Sequence, residues 1–167
     1  EWLPEILAED VAAVTIHART RKDMSKVPAR WERIAAAVKI RDASAPNTLI
    51  IGNGDVVDIA DAHAKAKATG CDGVMLGRAL FTNPWVFTDD ADRVRSPKER
   101  LEAALEHTKL FEETLGDIKS FATMKKHYKA YINNFDGASA MRAELRATTS
   151  YAEVYQKLEK LIKSYTH

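Results

Sequence analysis

The chain has 167 residues, of which 46% are hydrophobic and 29% charged, and its formal net charge is +1. That is an ordinary globular composition, enough for one domain or one and a fraction, and no apolar run approaches the ~20 residues of a membrane span. The single cysteine, Cys71, excludes an internal disulfide and fits a reducing, cytoplasmic compartment, and the acidic opening EWLPEILAED is unlike a signal peptide.

In chain order, the pattern predicts a strand over 11–17 (VAAVTIH), short, apolar and rich in β-branched residues. A polar loop leads to a helix over 29–40, just after Pro28, with Ile34, Ala37 and Val38 on one face. A second strand over 48–52, an alanine-rich helix over 57–69 stopped by Gly70, and a third strand over 72–76 complete a β-α-β-α-β order. Such alternation implies a parallel sheet with helices packed outside it. Three parallel strands cannot close a barrel and leave two open edges. The chain also begins as if inside a helix, so it reads as the C-terminal part of a longer protein; the alternative is a small open sheet with tolerated edges.

The character changes after NPWVFTDD. Ser96, Pro97 and Glu99 form a capping box with proline at the first helical position, and Leu101, Ala104, Leu105, Thr108, Phe111 and Leu115 keep helical spacing up to Gly116. Further helices are expected over about 118–132, about 138–147 and from Ser150, where Ser150 and Glu153 suggest a second capping box. Two domains follow: 1–90, a βα unit, and 96–167, all helical. Residues 1–90 are net −2 and residues 91–167 net +3, a weak asymmetry that matters only where the basic residues cluster.

The stretch TLIIGNGDVVD ends an apolar strand in Gly52, Asn53, Gly54 and Asp55, and Gly77 and Arg78 follow the third strand. In parallel α/β folds ligands bind outside the carboxyl ends of the strands, and in eight-stranded βα barrels the loops after the last two strands commonly hold a phosphate. Glycine lets main-chain N–H groups approach phosphate oxygens, and Arg78 adds a charged fork. Either turn alone is most simply a tight connection, but two on successive strands favour an anion site. His17 ends the first strand at the same side, either as a structural histidine or within reach of a shared ligand. Arg19 and Arg21 are either solvated surface charges or polyanion contacts. Cys71 reads as a small packed residue.

Within DIKSFATMKKHYKAYI, helical geometry puts Phe121, Met124, Tyr128, Tyr131 and Ile132 on one side and Lys119, Lys125, Lys126 and Lys129 on another arc bordered by His127. A lysine stripe is usually a solvated face; beside a phosphate-binding barrel it also suits a nucleic-acid backbone.

Together, TIHARTR (15–21), IIGNGDV (50–56), TGCDGVMLGRALFTNPWVF (69–87) and MKKHYKAYINNFDGASAMRAELRATTS (124–150) resemble the C-terminal half of a tRNA-dihydrouridine synthase. The resemblance implies an α/β fold: the C-terminal portion of a (β/α)8 TIM barrel, strands 6–8, followed by an all-α helical bundle that grips tRNA. It implies FMN as cofactor, NADPH or NADH as reductant, and reduction of a tRNA uridine to 5,6-dihydrouridine by a protein that is monomeric at full length. By position, His17, Asn53, Gly54, Asp55, Gly77 and Arg78 would lie at the cofactor, and Arg19, Arg21, Lys125, Lys126, Lys129 and Arg142 at the tRNA. No metal is implied. The family's general-acid cysteine, in an Asn-x-x-Cys-Pro setting, has no counterpart here, so the 167 residues alone are expected not to turn over. A non-catalytic RNA-binding module, or another FMN-dependent barrel oxidoreductase acting on a small molecule, are the alternative readings.

Overall fold

A computed structural model describes residues 2–165, and they form two compact units, 1–80 and 81–167. In the first, the order is α1 (Trp2–Leu7), β1 (Ala13–His17), α2 (Trp31–Ser44), β2 (Leu49–Asn53), α3 (Ile59–Thr69) and β3 (Gly73–Met75). The strands form one parallel sheet in the order β1-β2-β3, with His17 opposite Asn53 and Asn53 opposite Met75. That register brings the carboxyl ends of all three strands level.

Among the described residues of this unit, helices cover one face of the sheet. Val14 and Ile50 on that face pack against Ile34, Ala37 and Val38 of α2, with Ala66 of α3 and Val74 beside them. On the opposite face Ala13, Thr15 and His17 are exposed, and Leu49 and Met75 are 48% and 47% exposed. Helices lie on a single side of the sheet, and the outer edges of β1 and β3 are unpaired among the described residues.

Helix α2 starts two residues later than its pattern suggests because two main-chain donors before it are engaged elsewhere. Ala29 N donates to Asp55 Oδ2 (2.9 Å) and Arg30 N to Ala18 O (2.8 Å). It also runs on to Ser44, past the expected end, because Arg41 is buried. Its guanidinium donates to Thr48 O (2.6 Å) and Asp72 Oδ2 (2.7 Å), while Asp72 also accepts from Ile50 N (2.8 Å). This buried pair ties α2 to the amino ends of β2 and β3. Helix α3 is capped by Asp58, whose carboxylate accepts from Asp61 N, and ends at Gly70 in the left-handed conformation.

The second unit contains α4 (Pro97–Leu115), α5 (Ala122–Lys125), α6 (Tyr128–Tyr131), α7 (Ala138–Arg146) and α8 (Tyr151–Ser164). Residues 81–90, expected with the sheet, cluster with these helices: Phe81 stacks on His127 at 5.2 Å and Trp85 packs edge-on against Tyr131. The Ser96–Glu99 capping box is present. At α8 it is not reciprocal, because the Glu153 carboxylate accepts not from Ser150 N but from Thr149 N (2.8 Å) and Thr149 Oγ1 (3.0 Å). Leu101, Ala104, Thr108 and Phe111 bury the inner face of α4, whereas Leu115 is 39% exposed. They meet Met124, Tyr128, Ile132, Leu145, Val154 and Leu158.

The single helix expected over 118–132 is instead two short ones. His127 N bonds to Met124 O and Ala130 N to His127 O, both three residues back, so the segment is overwound. Met124, Tyr128 and Ile132 still reach the core. The lysines no longer share an arc on one helix, since Lys119 precedes α5 altogether.

Candidate functional site

The site is built where β2 and β3 end. The chain leaves β2 through Gly54 at φ +124°, a conformation open to glycine, and Asp55 at φ +51°. A Cβ on Gly54 would lie 2.9 Å from Ala29 Cβ and 3.3 Å from His17 Cε1, so the turn has room for glycine only. Trp31 Nε1 donates to Gly54 O (2.9 Å), and Asn53 Nδ2 donates to Met75 O (2.7 Å), clamping the two strand ends together. Beyond β3, Gly77 leads into a 3-10 turn over Arg78–Phe81. A Cβ there would meet nothing within 4 Å. His17, Asn53, Gly54, Asp55, Gly77 and Arg78 all line one recess of about 110 Å³.

Asp55 organises the charges. Its Oδ2 accepts from Arg19 Nη2 and Ala29 N, and its Oδ1 from Arg78 Nη2 (2.6 Å). The Arg19 hydrogen bond is the strongest influence holding this carboxyl below the usual carboxylate range; the Ala29 N–H and the charges of Arg19 and Arg78 act the same way, against burial. The two arginines are not alike. Arg19 is 5% exposed and also donates to Val27 O (2.6 Å), so it is a buried strut under the loop. Arg78 is 64% exposed and reaches Ser25 Oγ (3.2 Å), so it can turn to an incoming group.

One carboxylate faces two guanidiniums, leaving a surplus positive charge at the strand ends. Among the described residues, no hydrogen bond takes up the main-chain N–H of Gly54, Asp55 or Gly77. Free amide donors, a movable guanidinium and room beside Gly77 suit a small anion of phosphate size. No group of three or more potential metal ligands occurs among the described residues.

The other sequence candidates lie elsewhere. Arg21 is exposed in the loop after β1. Lys126 and Lys129 are exposed and Lys125 is half-buried. Arg142 donates to Ile132 O (2.6 Å), joining α7 to the end of α6, so one edge of its guanidinium is committed to the main chain. Sequence reasoning missed the strut role of Arg19, the loop contact of Ser25 and the Arg41–Asp72 pair. Partners 31 to 53 positions apart leave no local signal for any of them.

His107 and His127 form a ring cluster with Phe81 and Tyr131, whose hydroxyl lies 3.0 Å from His107 Nδ1. Burial lowers both histidine pKa values, and for His127 the nearby His107 and Lys126 add to the effect. A folded-state histidine pKa below the unfolded ~6.5 means that the unfolded chain takes the proton first. The helical unit should therefore lose stability as pH falls through about 6.5. Urea midpoints at neutral and mildly acidic pH should show this decline in the wild type, and a smaller one in a His107→Asn/His127→Asn double variant.

A sequence model described as dihydrouridine synthase (Dus) matches residues 4–166. A "Probable tRNA-dihydrouridine synthase" of Staphylococcus aureus (strain Mu50 / ATCC 700699) is 40% identical over 160 residues, covering 95% of this chain and 48% of that protein. A protein of the same name from Staphylococcus epidermidis is also 40% identical over 160 residues, covering 95% and 49%. The "Probable tRNA-dihydrouridine synthase 2" of Bacillus subtilis (strain 168) is 38% identical over 166 residues, covering 99% and 51%. The chain thus spans about half the length of these curated relatives. With the family's sequence signature running through both units, the chain belongs to the dihydrouridine synthase family.

Proposed function

We propose that this chain is the phosphate-holding and RNA-holding part of an FMN-dependent enzyme that reduces uridine in tRNA to 5,6-dihydrouridine, using NADPH or NADH, in the cytoplasm. The observation that carries this reading is the convergence of two unpartnered amide turns and Arg78 on one recess, in a chain of this family. The residues fit the phosphate end of FMN: Gly77 leaves open space where a side chain would stand, and the recess takes a phosphate but not a whole flavin.

FMN, when bound, supplies the hydride for one carbon of the 5,6 double bond, the other carbon taking a proton. The chain's own residues bind and orient. The N–H groups of Gly54, Asp55 and Gly77 would donate to phosphate oxygens, and Arg78 would turn from Asp55 to share its charge with them. Asp55 keeps Arg19 in place beneath the turn. His17, at the exposed end of β1, would stand beside the flavin or the target base. Lys125, Lys126, Lys129 and Arg142, with Arg21, hold RNA phosphates, offsetting the few kcal/mol needed to extrude a stacked base. The uncovered sheet face and open strand edges fit strands 6–8 of a TIM barrel, whose inner wall is completed by other strands. The proton donor belongs to that remainder, so the 167 residues alone do not turn over.

The test is to incubate tRNA lacking dihydrouridine with NADPH and either the complete protein that contains this chain or the 167 residues by themselves. Mass spectrometry of the digested tRNA should show two added hydrogens per modified uridine with the former and none with the latter. A flavin-free complete protein that leaves uridine unchanged would refute the reading.

A further inference from the structure

We infer that the cleft beside Trp85 in the helical unit is a second anion subsite, built to take a phosphate group. Its assignment to an RNA phosphate rests on the function proposed above. The segment before α4 is held in shape by Asn83, which donates to Ala91 O (2.9 Å) and accepts from Trp85 N (3.0 Å). Two guanidiniums then stack near the Trp85 ring, Arg95 at 4.7 Å and Arg100 at 5.7 Å from its centroid.

These cations differ in their partners. Arg95 is buried and committed: it donates to Asp90 Oδ1 (2.6 Å), Asp90 O (3.1 Å) and Arg93 O (2.9 Å). Arg93 is committed to Asp90 and Glu99. Arg100 meets only neutral acceptors, Arg95 O (3.2 Å) and Asn133 Oδ1 (2.9 Å). Among the described residues it has no carboxylate partner, and its Nη2 has no acceptor.

The position is otherwise a poor one for a cation. Arg100 lies near the amino end of the 19-residue α4, where the backbone dipole disfavours positive charge. Burial and the neighbouring Arg95 both push its pKa down, although a guanidinium stays protonated. An anion in the adjoining cleft of about 360 Å³ would relieve the desolvation, the like-charge contact and the dipole together. The amide of Asn134, without a partner among the described residues, lines the same cleft and can donate to it. Asp92 also lines it, with no ion pair among the described residues, and opposes an anion. Stacking near Trp85 and two neutral hydrogen bonds leave the Arg100 charge without an anion among the described residues.

Two measurements test the subsite. In the unaltered chain, inorganic phosphate is titrated while the arginine Nε–H resonances are followed by NMR. The Arg100 signal should move saturably, and Asp92→Asn should tighten that response several-fold. Separately, tRNA binding is measured against salt. Arg100→Gln should reduce the slope of log K against log[salt] by about one, and Arg100→Lys should restore it. A phosphate response at Arg100 with an unchanged tRNA slope assigns the cleft to free phosphate instead of RNA. A phosphate response in a chain that binds no tRNA leaves the subsite standing and defeats the RNA-holding role. An Arg100 signal unmoved by phosphate, together with a wild-type salt slope in Arg100→Gln, overturns the subsite.

Discussion

Gly54→Ala should destabilise the first unit by about 2–5 kcal/mol. Two costs combine. At φ +124° an L side chain is strained whatever the space around it. The added Cβ would also lie 2.9 Å from Ala29 Cβ, on a segment fixed by the Ala29 N–H bond to Asp55, so neither side can give way cheaply. Trp31 reports the change directly, because its indole N–H donates to Gly54 O. Urea unfolding followed by tryptophan fluorescence should show the loss. Gly77→Ala is the matched control: its Cβ would touch nothing within 4 Å, and stability should stay within about 0.5 kcal/mol. An equal loss at both positions would mean that the turn after β2 is not built as described.

Asp55→Asn should cost about 2–3 kcal/mol at neutral pH. Removing one partner of a buried ion pair typically costs about 3–5 kcal/mol, and the lower figure reflects an Asp55 side chain that is 33% exposed. The loss comes from Arg19, left nearly buried without its counter-charge, and not from the backbone, since asparagine tolerates the left-handed conformation at φ +51°. The pH dependence has a definite sign. The folded-state carboxyl is held below its ordinary pKa, so its stabilisation is present above the unfolded value of ~3.9 and is lost as pH falls through the lower folded value. The gap between wild type and Asp55→Asn should be constant near neutrality and shrink in acid. A gap that persists undiminished in strong acid, or is absent at neutral pH, would contradict the strut role of Arg19.

Local signals in the sequence were good guides wherever a residue's job depends on its immediate neighbours. The apolar run ending in Gly52, Asn53, Gly54 and Asp55 marked both a strand and its exit, because the left-handed backbone there selects glycine. Ser96 and Glu99 marked the start of α4 for a similar reason. Residues whose roles are set by distant partners were not legible. Arg41 interrupts the apolar face of α2 as a charge, yet it is buried because Asp72, 31 residues on, meets it. Arg19 looks like a surface cation and is a strut because Asp55 lies 36 residues away. The regular spacing of Met124, Tyr128 and Ile132 was correctly apolar but could not reveal that the backbone between them overwinds. The pair Arg95 and Arg100 carried one unread hint, a cation close to a helix start where a carboxylate is favoured.

The most direct test of the phosphate site compares FMN with riboflavin, which lacks only the phosphate, as ligands of this protein, followed by quenching of flavin fluorescence. FMN should bind much more tightly than riboflavin, and Arg78→Ala should erase most of that difference while leaving riboflavin binding unchanged. Equal affinity for the two flavins, or an FMN preference that survives Arg78→Ala intact, would show that the strand-end turns do not hold the phosphate.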